Sequence, residues 1–126
     1  KLTYAFANAT VPKVNVIIGK ALGTAATVMN SKALGADITY AWPNAEIGAM
    51  DSKLAAKIMY DGQGADVINE KAAAYEALQL SAVSAARRGY VDRIVEAADT
   101  RKYVIGAFEM LFTKSEDRPV KKHGTV

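Results

Sequence analysis

Twice in its first half the chain passes from a short apolar segment through a small-residue turn into a helical pattern. Val14, Val16, Ile17 and Ile18 form a β-branched run of the kind found in buried strands. Gly19 and Lys20 end it, a second turn follows at Gly23, Thr24 and Ala25, and residues 24–34 place Ala25, Val28, Met29 and Ala33 at helical spacing. Gly35 is suited to stop that helix before residues 37–42 turn extended. After Pro43, residues 46–50 read as a further extended piece. Asp51 and Ser52 then serve as helix-start residues ahead of Leu54, Ala55, Ile58 and Met59. Short strands alternating with helices specify an α/β layout with parallel pairing, because parallel strands need a crossover between them.

The remaining segments fit the same architecture. Residues 2–9 are compatible with a helix that Pro12 breaks. Residues 65–87 are alanine-rich and mainly helical, with a break near Leu80 and Ser81 and a close at Gly89 and Tyr90. Residues 91–95 form a short strand. Residues 98–113 give the clearest amphipathic helix, with Val104, Ile105, Phe108, Leu111 and Phe112 on one face. The closing KSEDRPVKKHGTV is polar and extended, which leaves His123 exposed.

Composition narrows the chemistry. With 126 residues and 51% apolar content the chain fits a single domain with its own core. It has no cysteine, so disulfides, thiolate metal sites and a cysteine nucleophile are excluded, and the composition is compatible with a reducing cytoplasm. Its single histidine, His123, gives a Ser-His-Asp triad or a histidine zinc site little to work with, so no metal is expected. The net charge of +3 is small and lies mostly in residues 114–126, and no aromatic residues interleave with a basic stripe. Nucleic-acid binding is therefore not expected. No window approaches 18 uninterrupted apolar residues, which argues against direct membrane insertion.

The turn at Gly23, Thr24 and Ala25 is the best candidate for chemistry. The first amides of a helix lack intrahelical partners and point outward with the positive end of the helix dipole. Gly23 omits a side chain where a ligand would approach, and two small residues follow, a pattern suited to a backbone oxyanion hole. The segment Ile47-Gly48-Ala49-Met50 would place a similar turn nearby. Small residues at a strand-helix junction also serve tight packing, so spacing alone leaves a structural reading open. Asp37, Glu46 and Asp51 read as caps or surface positions and Lys20 as solvated. Neither a GxxxxGK[ST] loop nor a GxGxxG fingerprint is present.

Three stretches together carry a resemblance: VPKVNVIIGKALGTAATVMNSKALGADITYAWPNAEIGAM, AARRGYVDRIV and GAFEMLFTKSEDRPVKKHG. In that order and spacing they resemble the C-terminal part of the carboxyltransferase subunits of biotin-dependent acyl-CoA carboxylases, of the propionyl-CoA carboxylase beta chain and methylmalonyl-CoA decarboxylase alpha chain type. The match runs from about Tyr4 to Gly124. It implies a crotonase-type (ClpP/crotonase) α/β fold, a superhelix of β-β-α units, and makes residues 1–126 a single, C-terminal (biotin-side) domain of a longer two-domain subunit.

The resemblance also implies partners and roles. The acyl-CoA sits on the N-terminal domain of a neighbouring subunit, and biotin arrives on a carrier protein or domain. The subunits form a homo-oligomer, dimer to hexamer, that works in the cytoplasm with a biotin carboxyl carrier and with biotin carboxylase or decarboxylase subunits. Gly23, Thr24 and Ala25 would be the biotin-side backbone oxyanion hole, Leu22 and Ala26 cofactor-binding neighbours, and Thr27 a position that tunes acyl-chain choice. A chain without a usable His or Cys can take part in such catalysis because the cofactor carries the reacting group. The family usually reads KAYGGAY where this chain has Lys20 to Ala26. Thr24 would thus cost about 1–2 kcal/mol of strain if the left-handed backbone falls on it. A second class of reading is a non-catalytic crotonase-like assembly domain.

Overall fold

The computed structural model describes residues 1–119. Helix α1 (Leu2–Asn8) leads into two successive β-β-α units. The first is β1 (Val14–Ile17), β2 (Lys20–Leu22) and α2 (Gly23–Val28), and the second is β3 (Ile38–Ala41), β4 (Glu46–Gly48) and α3 (Ser52–Met59). Helix α4 (Ala65–Tyr75), a π-helical turn (Glu76–Leu80) and α5 (Ala82–Arg87) follow, and then β5 (Arg93–Ile94) and α6 (Thr100–Met110).

Equivalent strands of successive units pair in parallel, which makes the stack a superhelix. The order β1-β3-β5 forms one sheet, with Val14 opposite Ile38 and Ala41 opposite Ile94, and β2-β4 forms another, with Leu22 opposite Gly48. The central β3 is covered on both faces, as its apolar run requires. Tyr40 packs with Val95 and Ala107 on one side, and Ala41 packs with Ala82, Ala85 and Val91 on the other. Neighbouring residues of a strand point to opposite faces, so the two core clusters flank one sheet.

Four details differ from the sequence expectations. The strand run stops at Ile17, and Lys20–Leu22 forms a strand of its own that exists only through its pairing with β4. Helix α2 ends at Val28 rather than near residue 34, because Asn30 adopts φ 54° and a 3-10 turn (Lys32–Leu34) carries the chain to the expected stop at Gly35, φ 85°. The alanine-rich segment contains a π-helical turn ahead of the expected break, where the Ser81 hydroxyl accepts from the Ser84 amide and starts α5. The amphipathic face expected on residues 98–113 packs inward only in part: Val104 joins the core and Leu111 is half-buried. Helix α6 meets the sheet through Tyr103, Val104 and Ala107, while Ile105, Phe108 and Phe112 are exposed. A small alanine at the contact brings the helix axis close and turns the bulkier residues away.

A clasp ties the segment after α6 to Asp37 and to the residues ahead of β1, with Lys114 Nζ also donating to the Val11 carbonyl at 3.2 Å. Lys114 Nζ sits 2.9 Å from both carboxylate oxygens of Asp37, whose Oδ2 also accepts from the Lys13 amide at 2.7 Å. Burial would raise the Asp37 pKa, but the hydrogen bonds from Lys114 and Lys13 outweigh it and hold the carboxyl below its ordinary value. The polar segment beyond α6 is irregular through residue 119, and His123 lies outside the described residues.

Candidate functional site

Strand β2 hands over directly to α2 at Gly23, whose φ of +67° only a glycine adopts without strain. A Cβ there would also stand 3.3 Å from the Ala49 carbonyl oxygen, so the glycine lets the turns of the two units approach each other. Thr24 escapes the strain expected of it. Asn30 is the only non-glycine residue with positive φ among the described residues, and the left-handed position of this turn falls on Gly23.

The two helix starts are unlike. In α3 the Asp51 side chain accepts from the Lys53 amide at 3.1 Å and closes the end. In α2 the residue at the corresponding place is Leu22, which offers no acceptor, and no side chain caps the helix. Helix geometry leaves the amides of Gly23, Thr24 and Ala25 without intrahelical partners. The parallel pairing of Leu22 with Gly48 takes the Gly23 amide onto the Gly48 carbonyl, so, against the expectation from the sequence, the candidate donors of this turn are the amides of Thr24 and Ala25.

Those donors border an open concavity of about 970 Å³. Leu22, Gly23, Thr24, Ala25, Ala26 and Thr27 all line it, and Gly48 and Ala49 of the second turn line it too. Thr24, Ala25 and Thr27 are exposed and Leu22, Gly23 and Ala26 are half-buried. The Thr27 hydroxyl donates back to the Gly23 carbonyl at 3.4 Å, which fixes the face that the side chain presents.

The carboxylates weighed from the sequence are all engaged elsewhere. Asp37 belongs to the clasp, Asp51 to the α3 cap, and Glu46 to an ion pair with Lys20 at 3.2 Å. Lys20 also approaches Asp51 at 3.8 Å, so it ties the two units together across the strand pair. Glu46 and the nearby Asp51 raise the Lys20 pKa against a smaller opposing effect of burial. Among the described residues no three His, Cys, Asp or Glu side chains assemble into a metal-binding group, and no helix is long and apolar enough to cross a membrane.

Sequence reasoning did not anticipate that Tyr75, Gln79, Arg88 and Tyr90 share this lining. The available signal was the RRGY stretch: Gly89, φ +83°, stops α5 and sets Arg88 at the rim. The partner of Arg88, Gln79, comes from a π-helical turn that no local pattern marks.

The model of the carboxyl transferase domain matches residues 1–126. The chain belongs to that family. This carboxyl transferase domain is 46% identical over 136 residues to the propionyl-CoA carboxylase beta chain of Saccharopolyspora erythraea, covering 100% of the chain and 25% of the relative. It is 41% identical over 134 residues to the methylmalonyl-CoA carboxyltransferase 12S subunit of Propionibacterium freudenreichii subsp. shermanii, covering 98% of the chain and 25% of that protein. A crystal structure of transcarboxylase 12S, described as a hexamer with methylmalonyl-coenzyme A and methylmalonic acid bound, superposes with a TM-score of 0.93 at 40% identity, over 98% of this chain and 24% of that one. The carboxyl transferase domain therefore spans about a quarter of the length of the curated relatives it matches. The α/β superhelix of crotonase type expected from the sequence is its fold.

Proposed function

We propose that this chain is the biotin-side, C-terminal domain of a two-domain acyl-CoA carboxyltransferase subunit. The subunit moves a carboxyl group between carrier-borne biotin and a short acyl-CoA of the propionyl or methylmalonyl type. The observation that carries this reading is the uncapped start of α2, whose free amides border the concavity while the matching start of α3 is closed by Asp51. Kinship with carboxylase and transcarboxylase subunits supplies the reaction class.

The residues present fit the ureido end of biotin. The amides of Thr24 and Ala25 stand beside Gly23, where a Cβ is absent, and Leu22 and Ala26 give apolar flanks. When bound, biotin would supply the atom that carries the carboxyl group. The chain's own part is electrostatic and positional. The amides of Thr24 and Ala25 donate to an oxygen on which negative charge builds, and being fixed by backbone they need no reorganisation as it does, while Gly23 keeps the approach bare. Leu22 and Ala26 exclude water beside those donors. Thr27, held by its bond to the Gly23 carbonyl, bounds the acyl end.

In this reading the other half of the site is an acyl-CoA-binding N-terminal domain of a neighbouring copy, in a dimer or hexamer. Further partners are a biotin carboxyl carrier and a biotin carboxylase or decarboxylase subunit, in the cytoplasm. The 126 residues alone are accordingly inactive.

The test uses the full-length subunit. Gly23→Trp fills the approach to the amides and lowers biotin-stimulated decarboxylation of methylmalonyl-CoA by at least the hundred- to thousandfold effect, roughly, of losing one oxyanion donor. Light scattering shows assembly retained. Unchanged turnover refutes the reading. Normal assembly without any biotin-stimulated turnover in the unsubstituted subunit supports a non-catalytic assembly domain instead.

A further inference from the structure

The concavity is one-sided in charge. Lys20, Lys32 and Arg88 contribute to its lining, and no aspartate or glutamate does. Two of these cations are neutralised: Lys20 by Glu46 at 3.2 Å and Lys32 by Asp92 at 2.6 Å. Arg88 has no carboxylate partner among the described residues. Its Nη2 donates to the amide oxygen of Gln79, a neutral acceptor. A guanidinium carries five N–H donors in a planar fork, so most of its bonding capacity is unused by the chain.

Both ends of the Arg88–Gln79 contact are positioned by unusual backbone. Helix α5 closes in a Schellman stop: the Gly89 amide donates to the Ala86 carbonyl at 3.0 Å and the Tyr90 amide to the Ala85 carbonyl at 3.0 Å, with Gly89 left-handed. Arg88 is the last residue before that glycine, so its direction of departure is set by the backbone rather than by side-chain packing. Gln79 projects from the π-helical turn, a geometry concentrated at functional sites because it re-aims side chains.

We propose that Arg88 binds the carboxylate of the group being transferred and so distinguishes carboxylated from uncarboxylated acyl-CoA. The inference rests on the carboxyl-transfer reading of the concavity. The two acyl-CoA partners of such a reaction differ by one carboxylate. A guanidinium fork matches that anion in bidentate geometry better than an ammonium does. Lys20 and Lys32 are spent on internal ion pairs, which leaves Arg88 as the cation of this lining with charge to offer.

The experiment measures calorimetric dissociation constants of the full-length subunit for methylmalonyl-CoA and for propionyl-CoA. Arg88→Gln weakens methylmalonyl-CoA roughly ten- to hundredfold, the range of a hydrogen bond to a charged group, and leaves propionyl-CoA within about twofold. Arg88→Lys restores part of the discrimination. Arg87→Gln, which removes the same charge one residue away and outside the lining, leaves the ratio unaltered. Equal losses for both ligands, as a contact to the CoA phosphates or a purely structural role would give, overturn the proposal; so does an unchanged ratio, or an equal effect of Arg87→Gln. Biotin-stimulated decarboxylation by the unsubstituted subunit is recorded alongside. Its presence without discrimination by Arg88 overturns this inference alone, and its absence overturns both this inference and the function it rests on.

Discussion

Gly48→Ala isolates the packing that sets the floor of the concavity. A Cβ at this position would overlap Cδ2 of Leu80, with Leu80 Cγ 3.8 Å and Leu22 Cδ2 4.0 Å away. Leu80 is fully buried, so it has nowhere to swing. Gly48 does not adopt positive φ, which makes the perturbation steric and not conformational. Inserting a methyl group into such packing costs about 1–3 kcal/mol, against a gain of about 0.4–1 kcal/mol from the reduced freedom of the unfolded chain. The net expectation is a loss of about 1–2 kcal/mol. At urea m-values of about 1–3 kcal/mol/M for a domain of this size, the midpoint falls by roughly 0.5–1 M.

The single tryptophan, Trp42, reports the transition, since its indole N–H donates to Thr100 Oγ1 at 2.9 Å and is released on unfolding. A double-mutant cycle with Leu80→Ala sharpens the test. Leu80→Ala alone costs about 3–4 kcal/mol for a fully buried leucine. In that background Gly48→Ala becomes neutral or stabilising, because the new methyl group enters the space vacated. Gly48→Ala as stable as the parent, or costs that simply add in the double variant, would refute the reasoning.

Three further outcomes follow from the same contacts. Asp37 is held below its usual pKa, so its contribution to stability is present above about pH 4 and drains away as pH falls through the lower folded-state value; Asp37→Asn flattens that acid limb in pH-dependent urea melts, and parallel acid limbs would contradict it. Asp51→Ala removes the α3 cap and costs about 1 kcal/mol, Asp51→Ser restores most of it, and equal losses for the two would exclude capping as the cause. Thr39 Oγ1 is buried without a hydrogen-bond partner, so Thr39→Val is neutral or stabilising by up to about 1 kcal/mol in the same melts; a clear loss of stability would show that the hydroxyl is satisfied.

The sequence-legible parts of the fold are those set by local chemistry. Asp51 before Ser52, Ser81 before Ala82 and Gly35 after the 3-10 turn mark their boundaries through capping and left-handed backbone, and each stands where its residue type indicates. Strand β2 was not legible, since three residues with an exposed lysine become a strand only by pairing with β4 across the unit repeat. The outward face of α6 was not legible either. Periodicity shows that Ile105, Phe108 and Phe112 share a side of the helix but not whether this chain covers that side. At the candidate site, Gly23 announced a bare turn, and the segment around Gly48 announced its neighbour. The contrast between an open and a capped helix start needed coordinates, as did the arrival of Arg88 from a helix far along the sequence.

The account turns on where the amides of Thr24 and Ala25 point, and a crystal structure of the full-length subunit with biotin tests this most directly. The ureido oxygen lies within about 3 Å of both nitrogens if the account is right. A ureido oxygen bound elsewhere, or those amides paired with another segment of the subunit, would contradict it.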